Sequence, residues 1–187
     1  GTLAAVPGWT VITGADVATP TRPTDPSEEP AHGMLMRKLD ARRTGGRQAE
    51  HLLLHAPGTA PGSLRLVDAW SAGFSVSSED LQKPEAAITL QKELEAALAW
   101  PGVTATFVAV ERPQVFAIGT LALSFELAAG PHKWHVVHHV VPAGDRVQYF
   151  ETTWLDGDVD ARGEIETLLR TFDGAREGRG VDFWKAT

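Results

Sequence analysis

Between residues 131 and 154 the chain reads PHKWHVVHHVVPAGDRVQYFETTW, and this stretch constrains the fold more than any other. Its β-branched pairs, Val136-Val137 and Val140-Val141, favour pleated backbone, and PAGD at 142–145 interrupts the run. The pattern predicts a β-hairpin with 142–145 as its loop. In that register Val141 faces Val147, His139 faces Tyr149, Val137 faces Glu151 and His135 faces Thr153. The opposite side pairs Trp134 with Trp154, Val136 with Thr152, His138 with Phe150 and Val140 with Gln148. A cross-strand indole pair adds ~0.5–1.5 kcal/mol beyond area burial. That side is expected to pack on a helix at 165–172. The other side, with Val137, Val141 and Tyr149, is also too apolar to stand in water, so helices on both sides of the sheet are expected.

The flanking segments fit the same scheme. LALSFEL alternates, placing Leu121, Leu123, Phe125 and Leu127 on one side, and 103–111 reads as its neighbouring strand. Pro84 opens a helix with Ala87, Leu90, Leu94, Ala97 and Leu98 at helical spacing, and Pro101-Gly102 stops it. Ile165, Leu168, Leu169 and Phe172 mark a last helix, with Asp158 or Asp160 as its cap and Gly174 as its end. SLRLVDAW at 63–70 supplies a further strand, and segments flanking Thr44-Gly45-Gly46-Arg47 suggest a hairpin. Arg37, Lys38, Arg42, Arg43 and Arg47 crowd that hairpin, as a solvated end more readily than as an anion site. The proline-rich TPTRPTDPSEEPAHG, residues 19–33, reads as a long loop. Short connections mean antiparallel pairing. The expected fold is α+β: an antiparallel sheet flanked by helices on both faces, an α/β/α sandwich, as one domain over 1–175 with a tail at 176–187.

A chain of 187 residues suffices for one domain with a full core. The 24 acidic and 17 basic residues leave a net charge of −7, which argues against general nucleic-acid binding. With no cysteine there are no disulfides, thiolate metal sites or cysteine nucleophiles.

The histidines raise the question of a metal. Imidazoles sharing an ion must bring ring nitrogens to ~2 Å from it, which along one strand favours an i, i+2 pair. His132, His135, His138 and His139 are spaced three, three and one, so a single strand cannot form the site. His135 and His139 match the outer residues of HExxH, but Val136 stands in place of the catalytic glutamate. In the hairpin register above, Glu151 lies diagonally from both, at ~7–8 Å, defining a His135, His139, Glu151 cluster. One residue of slip would abolish it. The plainer reading is a set of half-buried histidines bonded to Tyr149, Glu151 or helix side chains. Asp156-Gly-Asp158-Val-Asp160 opens like a calcium loop, but Ala161 and Thr167 occupy the positions that need Gly and Glu. No GxSxG elbow occurs, and GTAPGS at 58–63 lacks the phosphate-loop lysine. Six tryptophans are many for this length, and Trp70, Trp134, Trp154 and Trp184 are candidates for a ligand or partner surface, against a default of core packing.

From residue 63 to 174 the chain resembles the PsbP-like superfamily, which includes PsbP, the Ran-binding Mog protein and bacterial envelope lipoproteins of the DcrB and LpqN types. The resemblance is carried by VPGW, ITLQKELEAAL, VTATFVAV, AIGTLALSFEL, GDRVQYFETTW and IETLLRTFDG. It implies a sheet sandwiched between helices and an accessory or binding role with no shared active-site residues and no cofactor. The expectation is a non-enzymatic binding domain of the bacterial cell envelope, periplasmic or extracellular, engaging a protein partner or an apolar ligand. A removed signal peptide or lipid anchor ahead of Gly1 would tether it to a membrane. The alternatives are a cytoplasmic secretion chaperone that binds hydrophobic helices, and a metal-binding protein or enzyme using the His-His-Glu cluster. The sequence leaves the oligomeric state open.

Overall fold

A computed structural model of the chain describes residues 1–12, 52–59 and 63–180. The expected proline-rich loop, the first arm and turn of the basic hairpin, and Val181, Phe183 and Trp184 of the tail lie outside the described residues; of the hairpin's second arm, residues 52–56 are described and pair with residues in 10–12 and 64–72. Among the described residues seven strands form one sheet: β1 (Thr10–Ile12), β2 (Leu52–Pro57), β3 (Leu64–Ala72), β4 (Thr104–Glu111), β5 (Leu121–Ala129), β6 (His132–Ala143) and β7 (Arg146–Leu155). Their order across the sheet is β1-β2-β3-β7-β6-β5-β4, antiparallel throughout. After β3 the chain passes through α1 (Ser78–Gln82) and α2 (Pro84–Leu98), starts again at the far edge, and meanders back until β7 closes on β3. A last helix, α3 (Ala161–Leu169), follows β7.

This overturns the expected α/β/α sandwich. Among the described residues 43% lie in strands and 21% in helices, so the fold is β-rich. The reason is one of area. Seven strands at ~4.8 Å spacing make a sheet roughly 29 Å wide, whereas one helix covers ~10 Å of that width. The three helices among the described residues, of five, fifteen and nine residues, cannot form layers over such a sheet. Irregular segments supply much of the cover, such as Val115 and Phe116 from the loop between β4 and β5.

Two apolar clusters lie against the sheet. In the first, Leu121, Leu123, Phe125 and Leu127 of β5, with Trp134, Val136 and Val140 of β6, meet Leu90, Leu94 and Leu98 of α2. The predicted helix forms as expected, with Pro84 at its first turn. In the second, Val137 and Val141 of β6, with Phe150 and Trp154 of β7, meet Ile165, Leu168 and Leu169 of α3. Because both faces of β6 are covered, its burial is nearly continuous instead of alternating.

The hairpin exists, but one residue out of the expected register. Ala143 pairs with Arg146, leaving a two-residue Gly144-Asp145 loop with Gly144 at φ 77°. Glycine at the first position of so tight a loop takes this conformation without a Cβ clash. Pro142, read as part of the loop, sits inside β6 opposite Val147. It is tolerated there because β5 pairs with β6 only as far as Val140, and the bridge that Arg176 makes beyond it uses the carbonyl of Pro142, not its nitrogen. The shift moves every partner. Trp134 lies opposite Leu155, and Trp154 opposite His135. The two indoles are therefore on opposite faces, Trp134 in the cluster under α2 and Trp154 in the cluster under α3. The expected Trp134–Trp154 pair does not form, and Trp134 does not pack on the last helix.

Two expectations at α3 also change. Asp160 occupies the cap position without a side-chain cap bond. Asp158 instead accepts Arg65 Nε and Nη2, both at 2.9 Å, in a buried fork that Thr59 Oγ1 completes at 2.7 Å. Helix α3 ends at Leu169, and Gly174 serves a close approach: a Cβ there would stand 2.4 Å from Phe172 Cζ.

Candidate functional site

The register fixes where each strand histidine lies. His138, not Val137, lies opposite Glu151, and His139 lies opposite Phe150. Glu151 thus belongs to the α2 side of the sheet, while His135 and His139 belong to the α3 side. The His135, His139, Glu151 cluster is not assembled. Among the described residues no group of three or more His, Asp or Glu side chains is placed to hold a metal ion.

Each histidine has its own surroundings. His135 Nε2 lies 2.8 Å from Asp156 Oδ1, and the ring leans on Trp154 at a centroid distance of 5.4 Å. Hydrogen bonding to His135, foremost, holds the Asp156 carboxyl below its ordinary value. His138 Nδ1 is 3.4 Å from Glu151 Oε2, and its ring meets Trp70 at 5.4 Å and Tyr149 at 5.6 Å. His139 is buried between Phe116 and Phe150, and among the described residues its Nδ1 has no hydrogen-bond partner. Burial, aided by the charge of Arg162, pushes its pKa down to about 3.

Trp70, Trp134 and Trp154 do not share a surface. Trp134 is 1% exposed and Trp154 8%. Trp70 is half-buried and stacks on Tyr149 at 5.4 Å. Trp184 lies outside the described residues.

What the structure does assemble is a groove on the α3 side, over β1, β2, β3 and the start of β7. It has a volume of about 450 Å³ and is walled by Leu3, Val11, Leu52, Ala69, Phe150 and Phe172, with Trp70, Ser71 and Gln148 at one end. The floor follows from register: Leu52 lies opposite Ala69 and Ala69 opposite Phe150, so the three share a face in a row across three strands. The far wall is the chain after α3. Phe172 meets Phe150 edge-on at 5.1 Å and Phe116 at 6.4 Å. The N-terminal residues are clipped to it: Thr2 N donates to Asp173 Oδ1 at 2.6 Å, Asp173 N donates to Thr2 O, and Ala4 N donates to Thr171 Oγ1 at 3.0 Å. The bond from the Thr2 amide is the main reason the Asp173 carboxyl titrates below its ordinary value.

A second hollow, of about 510 Å³, shares Gly1, Ser71 and Gln148 with the first and is lined beyond them by Gly144, Asp145, Arg146 and Arg176. Gln148 is fixed at the junction, its Nε2 donating to Trp70 O at 2.7 Å and Tyr149 O at 3.1 Å. Residue 176 lies here because the chain beyond α3 returns along β6. Arg176 N donates to Pro142 O and Gly144 N to Arg176 O. Residues 176–179 are therefore tied to the domain, a tie reinforced where Arg179 N donates to Ser75 Oγ.

Sequence reasoning singled out Trp70, which borders this groove although its ring stacks on Tyr149 on the α2 side, but not Gln148, Phe150 or Phe172 here, nor Arg146 or Arg176 of the second hollow. They come from separate segments, and no local spacing marks them as one site. Compared with protein-family models and with curated proteins, the chain matches none. No helix among the described residues is long and apolar enough to cross a membrane.

Proposed function

We propose that the protein is a non-enzymatic binding domain whose groove receives an apolar ligand. The observation that carries this reading is a concavity of about 450 Å³ with an apolar floor and polar groups at one end. Small-molecule sites are concave, ~300–1,000 Å³ in volume, and mostly apolar with a few fixed polar groups. The floor is built on three paired strands, a rigid base that needs little ordering when a ligand arrives. The envelope setting implied by the PsbP-like resemblance belongs to the same proposal, and fractionation of cells expressing the full reading frame checks it.

The test is titration with decan-1-ol, followed by amide chemical shifts of the folded protein. Shifts are expected at Leu52, Ala69 and Phe150. Val11→Trp, at an exposed position on the groove wall, and Ala69→Phe, at its floor, should each weaken binding by at least tenfold. Failure of decan-1-ol to bind the wild type, or unchanged binding in both folded variants, refutes the reading.

A further inference from the structure

The two hollows differ in chemistry. The first is walled by aliphatic and aromatic side chains. The second carries two guanidinium groups, Arg146 and Arg176, both exposed. Among the described residues neither arginine has an ion-pair partner. Arg146 Nη1 is 3.4 Å from Ser71 Oγ, a long contact that leaves most of the fork unused. The stem of Arg176 lies across the hairpin loop, where a Cβ on Gly144 would come 3.4 Å from its Cδ. The Arg176 stem thus runs within ordinary contact range of the tight loop. Asp145 lines the same hollow, so the side chains that line it carry one net positive charge within a protein of net charge −7. A planar guanidinium fork suits an oxyanion, and one net positive charge suits a singly charged one.

We propose that the ligand is an aliphatic carboxylate, its chain on Leu52, Ala69 and Phe150 and its carboxylate between Arg146 and Arg176. The proposal rests on the binding reading above and adds the chemistry of the head. Gln148, held at the junction, marks where chain gives way to head group. Because both arginines are exposed, each contributes modestly: about threefold in affinity singly and about tenfold together at low salt. That preference shrinks as ionic strength rises, because exposed charges are screened.

Calorimetric titration with decanoate, decan-1-ol and decyl phosphate separates the possibilities. Decanoate is expected to bind wild type about tenfold more tightly than decan-1-ol. The preference should vanish in Arg146→Gln/Arg176→Gln, persist in the double lysine variant, and fade in high salt, with decan-1-ol affinity unchanged. Equal binding of decanoate and decan-1-ol, or a preference that survives the double glutamine change, overturns the carboxylate assignment and leaves the groove reading standing. Tighter, arginine-dependent binding of decyl phosphate overturns the singly charged head. If neither decanoate nor decan-1-ol binds, both readings fall.

Discussion

His139 should make the protein acid-sensitive well above the range of its carboxylates. The ring is 4% exposed, and its pKa of about 3 keeps it neutral in the folded state. In the unfolded chain it takes up a proton near its ordinary value of 6.5. Between those two values the unfolded state binds the extra proton, so stability present above pH 6.5 is lost as pH falls. From pH 6.5 to 5.0, one and a half units at ~1.4 kcal/mol each give a loss of about 2 kcal/mol. The variants His139→Leu and His139→Phe remove the titrating group and, with it, a buried Nδ1 that lacks a partner. At pH 7.5 their stability should therefore stay within ~1 kcal/mol of wild type, since removing an unsatisfied polar atom offsets imperfect packing. Urea unfolding at pH 7.5 and 5.0 is the assay. The wild type should lose about 2 kcal/mol more than either variant between the two pH values. His55, also lowered by burial, is present in all three proteins and cancels from the comparison. An equal acid loss in wild type and variants, or an NMR titration of His139 with its midpoint near 6.5, would refute the reasoning.

Three further outcomes follow from packing and charge. Asp158→Asn leaves Arg65 buried beside a neutral amide and should cost ~3–5 kcal/mol in denaturant unfolding, whereas Arg65→Met/Asp158→Leu should cost far less, because a buried pair breaks even only as a pair. Hydrogen bonding from Arg65 holds the Asp158 pKa below its ordinary 3.8. Its contribution is complete above that value and is lost as pH falls through the lower folded one, so acid titration of the double variant should lack this step. Gly174→Ala places a methyl group against the Phe172 ring and the Gly1 backbone. It should lower stability by ~1–3 kcal/mol and weaken decan-1-ol binding, read by thermal unfolding and the shift titration above. Trp134→Ala empties the core beneath α2 and should cost ~3–5 kcal/mol in urea.

The sequence showed the strands clearly and their alignment poorly. Alternation in LALSFEL placed Leu121, Leu123, Phe125 and Leu127 on one side, and all four are buried there. Such a pattern is a property of one strand and survives any pairing. The β6–β7 register depends on loop length, and Pro142 suggested a longer loop than the two residues that form it. Gly144-Asp145 was the available signal, since Gly followed by a small polar residue is a tight-hairpin pair. The proline outweighed it because the sequence does not show that β5 stops pairing at Val140. One residue of error was enough to move Glu151 to the wrong side of the sheet and to invent an indole pair.

The groove was illegible for a different reason. Its floor takes one residue from each of three strands, Leu52, Ala69 and Phe150, and β3 and β7 are adjacent only because the chain crosses to the far edge and returns. Its wall, Phe172, was assigned to a helix that ends three residues earlier. Its cations sit on a hairpin corner and on a segment read as a tail. None of these positions has a local period, because concavity is made where elements of different sequence origin stop covering one another. An apolar residue such as Ala69, buried at the groove floor, then has the same local pattern whether its cover is a helix or irregular chain. What differs is that its neighbours Leu53 and Leu66 belong to the cluster packed by α2, while Ala69 faces the side where α3 reaches only part of the sheet. The shortage of helix that defeats the sandwich is thus also what leaves the groove uncovered.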